Sequence, residues 1–198
     1  LMYRGLLVLL SVVGMATATF AQQKQDMNSM QSNHKVLVAY FSATGVTARA
    51  AQKVAEATGG EVYAITPAKP YTDADLDWRD KQSRSSVEMN DQKARPALGG
   101  KRLDVSEYDV VFIGYPIWWD LAPRAVNSFI EAADLSGKTV IPFATSGSST
   151  IANSVAELKK SYPKVKWQTG RLLNRLSGKE MDAWVSTSIK VDSLTTGR

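Results

Sequence analysis

The chain has 198 residues, 44% of them hydrophobic and 22% charged, which suits a soluble globular domain with a full-sized core and excludes disordered and fibrous classes. It contains no cysteine, so disulfides, thiolate metal sites, iron–sulfur clusters and cysteine nucleophiles are excluded, and any redox chemistry must come from a cofactor. The formal charge of +5 comes from Lys and Arg scattered among acids, which describes a solvated, mildly basic surface and no nucleic-acid footprint.

Residues 1–21 run from Arg4 through the apolar stretch Leu6 to Val13 and end in small residues at Thr19-Phe20-Ala21. That order is the order of a secretory signal, with cleavage expected after Ala21. The apolar part is short for a spanning helix, so no stable membrane insertion is expected after cleavage; an uncleaved N-terminal anchor is the alternative. Residues 22–34 read as a polar, flexible tether, and 35–198 as one domain. The single histidine, His34, falls in this polar lead-in, which leaves Ser-His-Asp hydrolysis without support.

The domain opens on Val36-Leu37-Val38-Ala39-Tyr40-Phe41, a β-branched apolar run that reads as a buried strand. Ser42-Ala43-Thr44-Gly45-Val46-Thr47 follows, and then a helix with Val46, Ala50 and Val54 on one face and a left-handed stop at Gly59-Gly60. The free amides of that helix start favour an anion. With neither Lys nor Arg in the loop and no Gly-x-x-x-x-Gly-Lys, the loop suits a small phosphate monoester and not a nucleoside triphosphate.

Glu61 to Thr66 is a second strand, ended by Pro67 and Pro70. Residues 67–108 form a long polar insertion or crossover with room for a helix or two, which is either a binding loop or a decorated connection. Asp109 to Tyr115 is a third strand whose unbroken apolar run suits a parallel sheet. It ends in Pro116-Ile117-Trp118-Trp119, and Pro123 suits the start of a helix with Val126, Phe129, Ile130 and Ala133 inside. Thr139 to Ala144 is a fourth strand, although Pro142 is awkward there and implies a bulge or a short neighbouring strand. Thr145-Ser146-Gly147-Ser148 leads to a helix carrying Ile151, Val155 and Leu158, then a short strand at Val165 to Gln168, then a closing helix with Met181, Trp184, Val185 and Ile189.

Strands alternating with helices imply right-handed crossovers, and ligands bind outside the strand C-termini of such sheets. The loops after strands one, three and four then converge, bringing phosphate-holding hydroxyls, two tryptophans able to stack on a flat heterocycle, and a glycine-centred serine loop.

Ser42-x-Thr44-Gly45-x-Thr47 after a first buried strand resembles the phosphate loop of the flavodoxin family. Tyr115-Pro116-Ile117-Trp118-Trp119 with Ala122-Pro123, Asp134-Leu135-Ser136-Gly137-Lys138, and Asp75-Leu76-Asp77-Trp78 with Glu88-Met89-Asn90-Asp91 extend the resemblance over roughly residues 35 to 191, to an exported bacterial branch. It implies a three-layer α/β/α sandwich around a five-stranded parallel sheet of order 2-1-3-4-5. It also implies FMN as cofactor, with Ser42, Thr44, Gly45, Val46 and Thr47 around the phosphate. Pro116, Ile117, Trp118 and Trp119 would form the aromatic wall of the ring site, and Thr145, Ser146, Gly147 and Ser148 would reach the ring's polar edge. Which tryptophan stacks stays open. No metal ligands or side-chain catalysts are implied.

The periplasm is the expected compartment, and the expected partners are a redox protein or a small-molecule electron acceptor. An electron carrier is one expectation; an FMN-dependent NAD(P)H:quinone-type reductase is the other. Two departures stand out: the third loop lacks the tyrosine many flavodoxins place against the flavin, and the pI near 9.4 differs from the acidic surfaces of cytosolic members. Asp120 is the only acid in the three loops, so a fully reduced, anionic flavin should be less disfavoured than in acidic relatives.

Overall fold

A computed structural model describes residues 34–196. The expected signal at 1–21 and nearly all of the expected tether lie outside the described residues. The apolar run at the domain start forms β1 (Val36–Tyr40), and α1 (Val46–Thr58), β2 (Glu61–Ala64), α2 (Arg84–Asn90) and β3 (Val110–Pro116) follow. The second half contains α3 (Arg124–Ala133), β4 (Thr139–Thr145), α4 (Ala152–Ser161), β5 (Lys166–Trp167), β6 (Arg171–Leu172) and α5 (Gly178–Thr196).

The strands pair in the order β2-β1-β3-β4-β5, all parallel, as the sequence implied. The sheet edge beyond β4 is divided: β5 pairs with Thr139 and Val140, and β6 pairs in parallel with Phe143 and Ala144. Pro142 explains the division. The carbonyls of Val140 and Ala144 accept from Gln168 N and Leu173 N on this edge, so Pro142, two residues from each, faces the same way with no N–H to offer. The chain passes it at Gly170, where a Cβ would lie only 3.1 Å from the Pro142 carbonyl oxygen and 2.9 Å from Ile151 Cδ1. The expected awkward proline therefore sits in a central strand at a gap between two short neighbours.

Side-chain alternation divides the core into two layers. Leu37, Ala39 and Phe41 pack with Val111, Ile113, Tyr115 and the inner faces of α3 and α4. Val36 and Val38 pack with Val110, Phe112, Phe143, the inner face of α1 and Met181, Trp184, Val185 and Ile189 of α5. Phe112, fully buried, meets Trp184 edge-on at 5.6 Å. A buried side chain of this size contributes about 1.5–3 kcal/mol. Both faces of the sheet are thus covered, which is the condition for all-parallel pairing.

The insertion is closed at its base, where Pro67 and Leu98 form an antiparallel bridge flanked by Ala68 N to Ala97 O and Gly99 N to Thr66 O, both 2.8 Å. Its single helix, α2, is N-capped by Ser83, whose Oγ accepts from Ser86 N at 3.3 Å. Arg84 lies 4.0 Å over the Tyr71 ring, pairs with Glu88 at 2.7 Å and donates to Lys69 O, while Tyr71 also donates to Glu88. From the domain side, buried Arg124 donates to Glu88 O and Met89 O at the C-terminal turn of α2. Those carbonyls carry the negative end of the helix dipole, which offsets the burial of a guanidinium that makes no ion pair among the described residues. Burial holds its pKa below the usual arginine value.

Candidate cofactor site

The C-terminal ends of β1, β3 and β4 open into a cavity of about 1060 Å³. Its first wall is the turn from β1 into α1. Gly45 occupies the N-cap at φ 85°, a left-handed conformation that a side chain would strain, and no side chain caps the helix. Ser42 Oγ accepts from Gly45 N at 3.1 Å and so shapes the loop. The first helical amide bonded back is Arg49 N, to Gly45 O, which leaves the amides of Val46, Thr47 and Ala48 without intrahelical partners. Thr44, Val46 and Thr47 line the cavity, whereas Ser42 and Gly45 do not. Val46, expected on the core face, is exposed because it is the first helical residue and sits at the cavity rim.

The second wall is the end of β3. Pro116 and Ile117 lead into a tight reversal in which Trp118 and Leu121 exchange hydrogen bonds at 3.0 and 2.9 Å. Its central residues, Trp119 at φ 46° and Asp120 at φ 63°, both adopt positive φ, the pattern of a type I′ turn. The consecutive tryptophans therefore diverge. Trp118 is wedged edge-on between Phe41 at 5.4 Å and Tyr71 at 5.5 Å, tying the core to the insertion. Trp119 keeps 46% of its surface exposed beside the cavity.

The third wall follows β4. Thr145 Oγ1 meets Thr47 Oγ1 at 2.8 Å, both side chains being buried. Ser146 Oγ accepts from Ser148 N and Ser149 N at 3.2 and 2.9 Å, and Asn174, just after β6, accepts from Ser146 N at 2.9 Å and donates back to Ser146 O. These bonds leave Gly147 N as the one amide of 146–149 without a partner among the described residues.

Of the residues picked from sequence, Thr44, Val46, Thr47, Pro116, Ile117, Trp118, Trp119, Thr145, Ser146, Gly147 and Ser148 meet around this one cavity. Sequence reasoning missed Leu76, Trp78 and Ser85 from the insertion, and Asn174 and Arg175 beyond β6. It also missed Arg49, whose Nη1 lies 3.6 Å from where a Cβ on Gly45 would be. Arg49 was findable in principle, because it stands one helical turn beyond Gly45 on the same face. The others come from distant chain segments, and nothing local places them at the site, although Leu76 and Trp78 stand in a motif that carries the resemblance.

A phosphate monoester on a flat, partly polar ring fits these walls. Uncapped helix amides with Arg49 near Gly45, an exposed indole and the free Gly147 amide belong to the walls of this one cavity. Among the described residues no cluster of His, Asp or Glu could hold a metal ion.

The Flavodoxin family model matches residues 35–188. A candidate flavoprotein of Bacteroides eggerthii is 63% identical, with a TM-score of 0.76 over 78% of this chain and 98% of its own. One from Bacteroides uniformis is 61% identical, with a TM-score of 0.75 over 77% and 97%. A flavoprotein of Lactobacillus acidophilus in complex with FMN shares the fold at 19% identity, with a TM-score of 0.62 over 76% and 98%. No curated protein matches the chain. The matched span covers the whole sheet and all three site loops, and the chain belongs to the flavodoxin family.

Proposed function

We propose that the protein binds FMN non-covalently in the cavity at the ends of β1, β3 and β4 and carries electrons through it. The observation that carries this reading is the uncapped start of α1, with Gly45 at φ 85°, facing the same cavity as the exposed Trp119. A bound flavin supplies one- and two-electron redox chemistry. The chain's own part is to hold and tune it. The α1 amides, with Arg49, bind the phosphate; Trp119 covers the ring; and the Gly147 amide donates to its polar edge. FMN in the Lactobacillus acidophilus structure and family membership support the assignment.

Trp118 does not stack in this reading, because it packs in the cluster with Phe41 and Tyr71 while Trp119 keeps 46% of its surface exposed. The compartment proposed is the bacterial periplasm, on the strength of residues 1–21. No helix among the described residues is long and apolar enough to cross a membrane.

One observation favours a second reading, reduction of a small quinone-type acceptor with NAD(P)H as donor. At about 1060 Å³ the cavity slightly exceeds the roughly 300–1,000 Å³ range of single-ligand sites, which leaves room beside a cofactor. Mixing the FMN-loaded protein with NADH or NADPH in a stopped-flow instrument separates the two. A carrier keeps its visible absorbance on the catalytic timescale, and a reductase bleaches within seconds and recovers on adding a quinone.

A further inference from the structure

Large hydrophobic side chains scattered singly over a surface need no explanation, but these are not scattered. Five are exposed among the described residues, and three of them, Val46, Trp78 and Trp119, border the cofactor cavity. Val46 and Trp119 belong to the loops that the fold brings to the site. Trp78 belongs to the insertion, far from those loops in sequence, and is 71% exposed, with Leu76 beside it on the cavity wall.

The segment around Trp78 is closely tied. Asp80 N donates to Asp77 O at 3.1 Å across a turn that contains Trp78, and Asp77 Oδ1 accepts from Arg79 N and Arg79 Nε at 3.1 and 3.0 Å. Ser85 N donates to Asp75 O at 2.9 Å and Ser86 Oγ to Asp80 O at 2.7 Å, which fastens the turn to α2. Through α2 it is fixed to Arg124, and through Tyr71 to Trp118. These bonds hold the turn that carries Trp78 at the cavity, and its indole, 71% exposed, presents an aromatic surface to whatever fills the cavity. The loop after β4 offers Ser146, Gly147, Ser148 and Ser149 and no ring at all.

We propose that Trp78 is a cofactor-contacting residue: its indole packs against the flavin ring system, so that the insertion, and not the loop after β4, supplies the second aromatic wall. This rests on the FMN reading given above. It assigns the insertion a function, as part of the binding site, where a decorated crossover would have none.

The test titrates the full chain, freed of flavin, with FMN and separately with riboflavin, which has the ring but no phosphate. Trp78→Ala should weaken both by the same factor, about fivefold to tenfold, and Trp78→Phe should recover part of the loss. The melting temperature of the unliganded protein should not change, because the side chain is exposed. Binding of both flavins by Trp78→Ala within about twofold of wild type would overturn the inference while leaving the cofactor reading intact. A loss confined to FMN would overturn it too, by placing Trp78 at the phosphate. Wild-type protein that binds neither flavin would overturn the cofactor reading and this inference with it.

Discussion

Thr47 Oγ1, on the first turn of α1, lies 2.8 Å from Thr145 Oγ1, at the end of β4. The pair links two walls of the cofactor cavity across the intervening strand β3. Two hydroxyls bring two protons, and their mutual bond uses one, so one remains for a ligand. Replacing either threonine by valine keeps the shape and strands the partner's buried hydroxyl. Each single variant should lose about 1–2 kcal/mol in denaturant unfolding, and the double variant less than the sum, because no orphaned group remains. Strict additivity would show that the contact carries no coupling.

The tryptophans of the β3 turn should divide their effects. Trp119→Ala should leave the unliganded protein's stability within about 0.5 kcal/mol, since the side chain is half exposed, and weaken FMN about tenfold. Trp118→Ala removes a ring from the cluster with Phe41 and Tyr71 and should cost about 2–4 kcal/mol of stability. Thermal melts and flavin titrations of both variants check this; the reverse pattern would assign the stacking role to Trp118.

Arg175 and Asp120 both line the cavity, so the acid that stood alone in the three site loops shares the site with a cation. A positive charge there stabilises an anionic reduced cofactor. Arg175→Gln should lower the couple that yields the fully reduced flavin by on the order of 30–60 mV, read by potentiometric titration. Arg175→Lys should keep most of the wild-type value. An unchanged potential in Arg175→Gln would place the guanidinium away from the ring.

Tyr115, fully buried at the end of β3 with its hydroxyl 3.0 Å from Ser154 Oγ, has its pKa pushed up to about 12 by burial. The folded-state value is the higher one, so the neutral phenol stabilises the fold. That contribution is complete below the unfolded pKa of about 10 and is lost as pH rises through 12. Wild-type protein should therefore lose stability between about pH 10 and 12, and Tyr115→Phe should lose less over the same range. Equal slopes in denaturant titrations of the two proteins would contradict this. Tyr162, also raised to about 12 by burial and by its bond to Glu131, adds to the wild-type slope.

The sheet was legible because its signals are local. The buried strands, the amphipathic helices and the left-handed stop at Gly59 each follow from residues within a few positions of one another. The divided sheet edge was only half legible: Pro142 announced a problem, but its solution lies at Gly170, on the next strand. Within the site, apart from Arg49, the side chains that escaped sequence reasoning are those that tertiary structure delivers. Trp78 arrives on an insertion tied down by Arg84 and Arg124, and Asn174 and Arg175 arrive from beyond the split edge. Ser42 was legible as a loop residue but not as one whose hydroxyl serves Gly45 N.

Whether the cavity holds FMN is read from the flavin content of the purified protein, before and after incubation with FMN. The protein should be yellow and release a stoichiometric, phosphate-bearing flavin on denaturation. A colourless protein that gains no visible absorbance on reconstitution would contradict it.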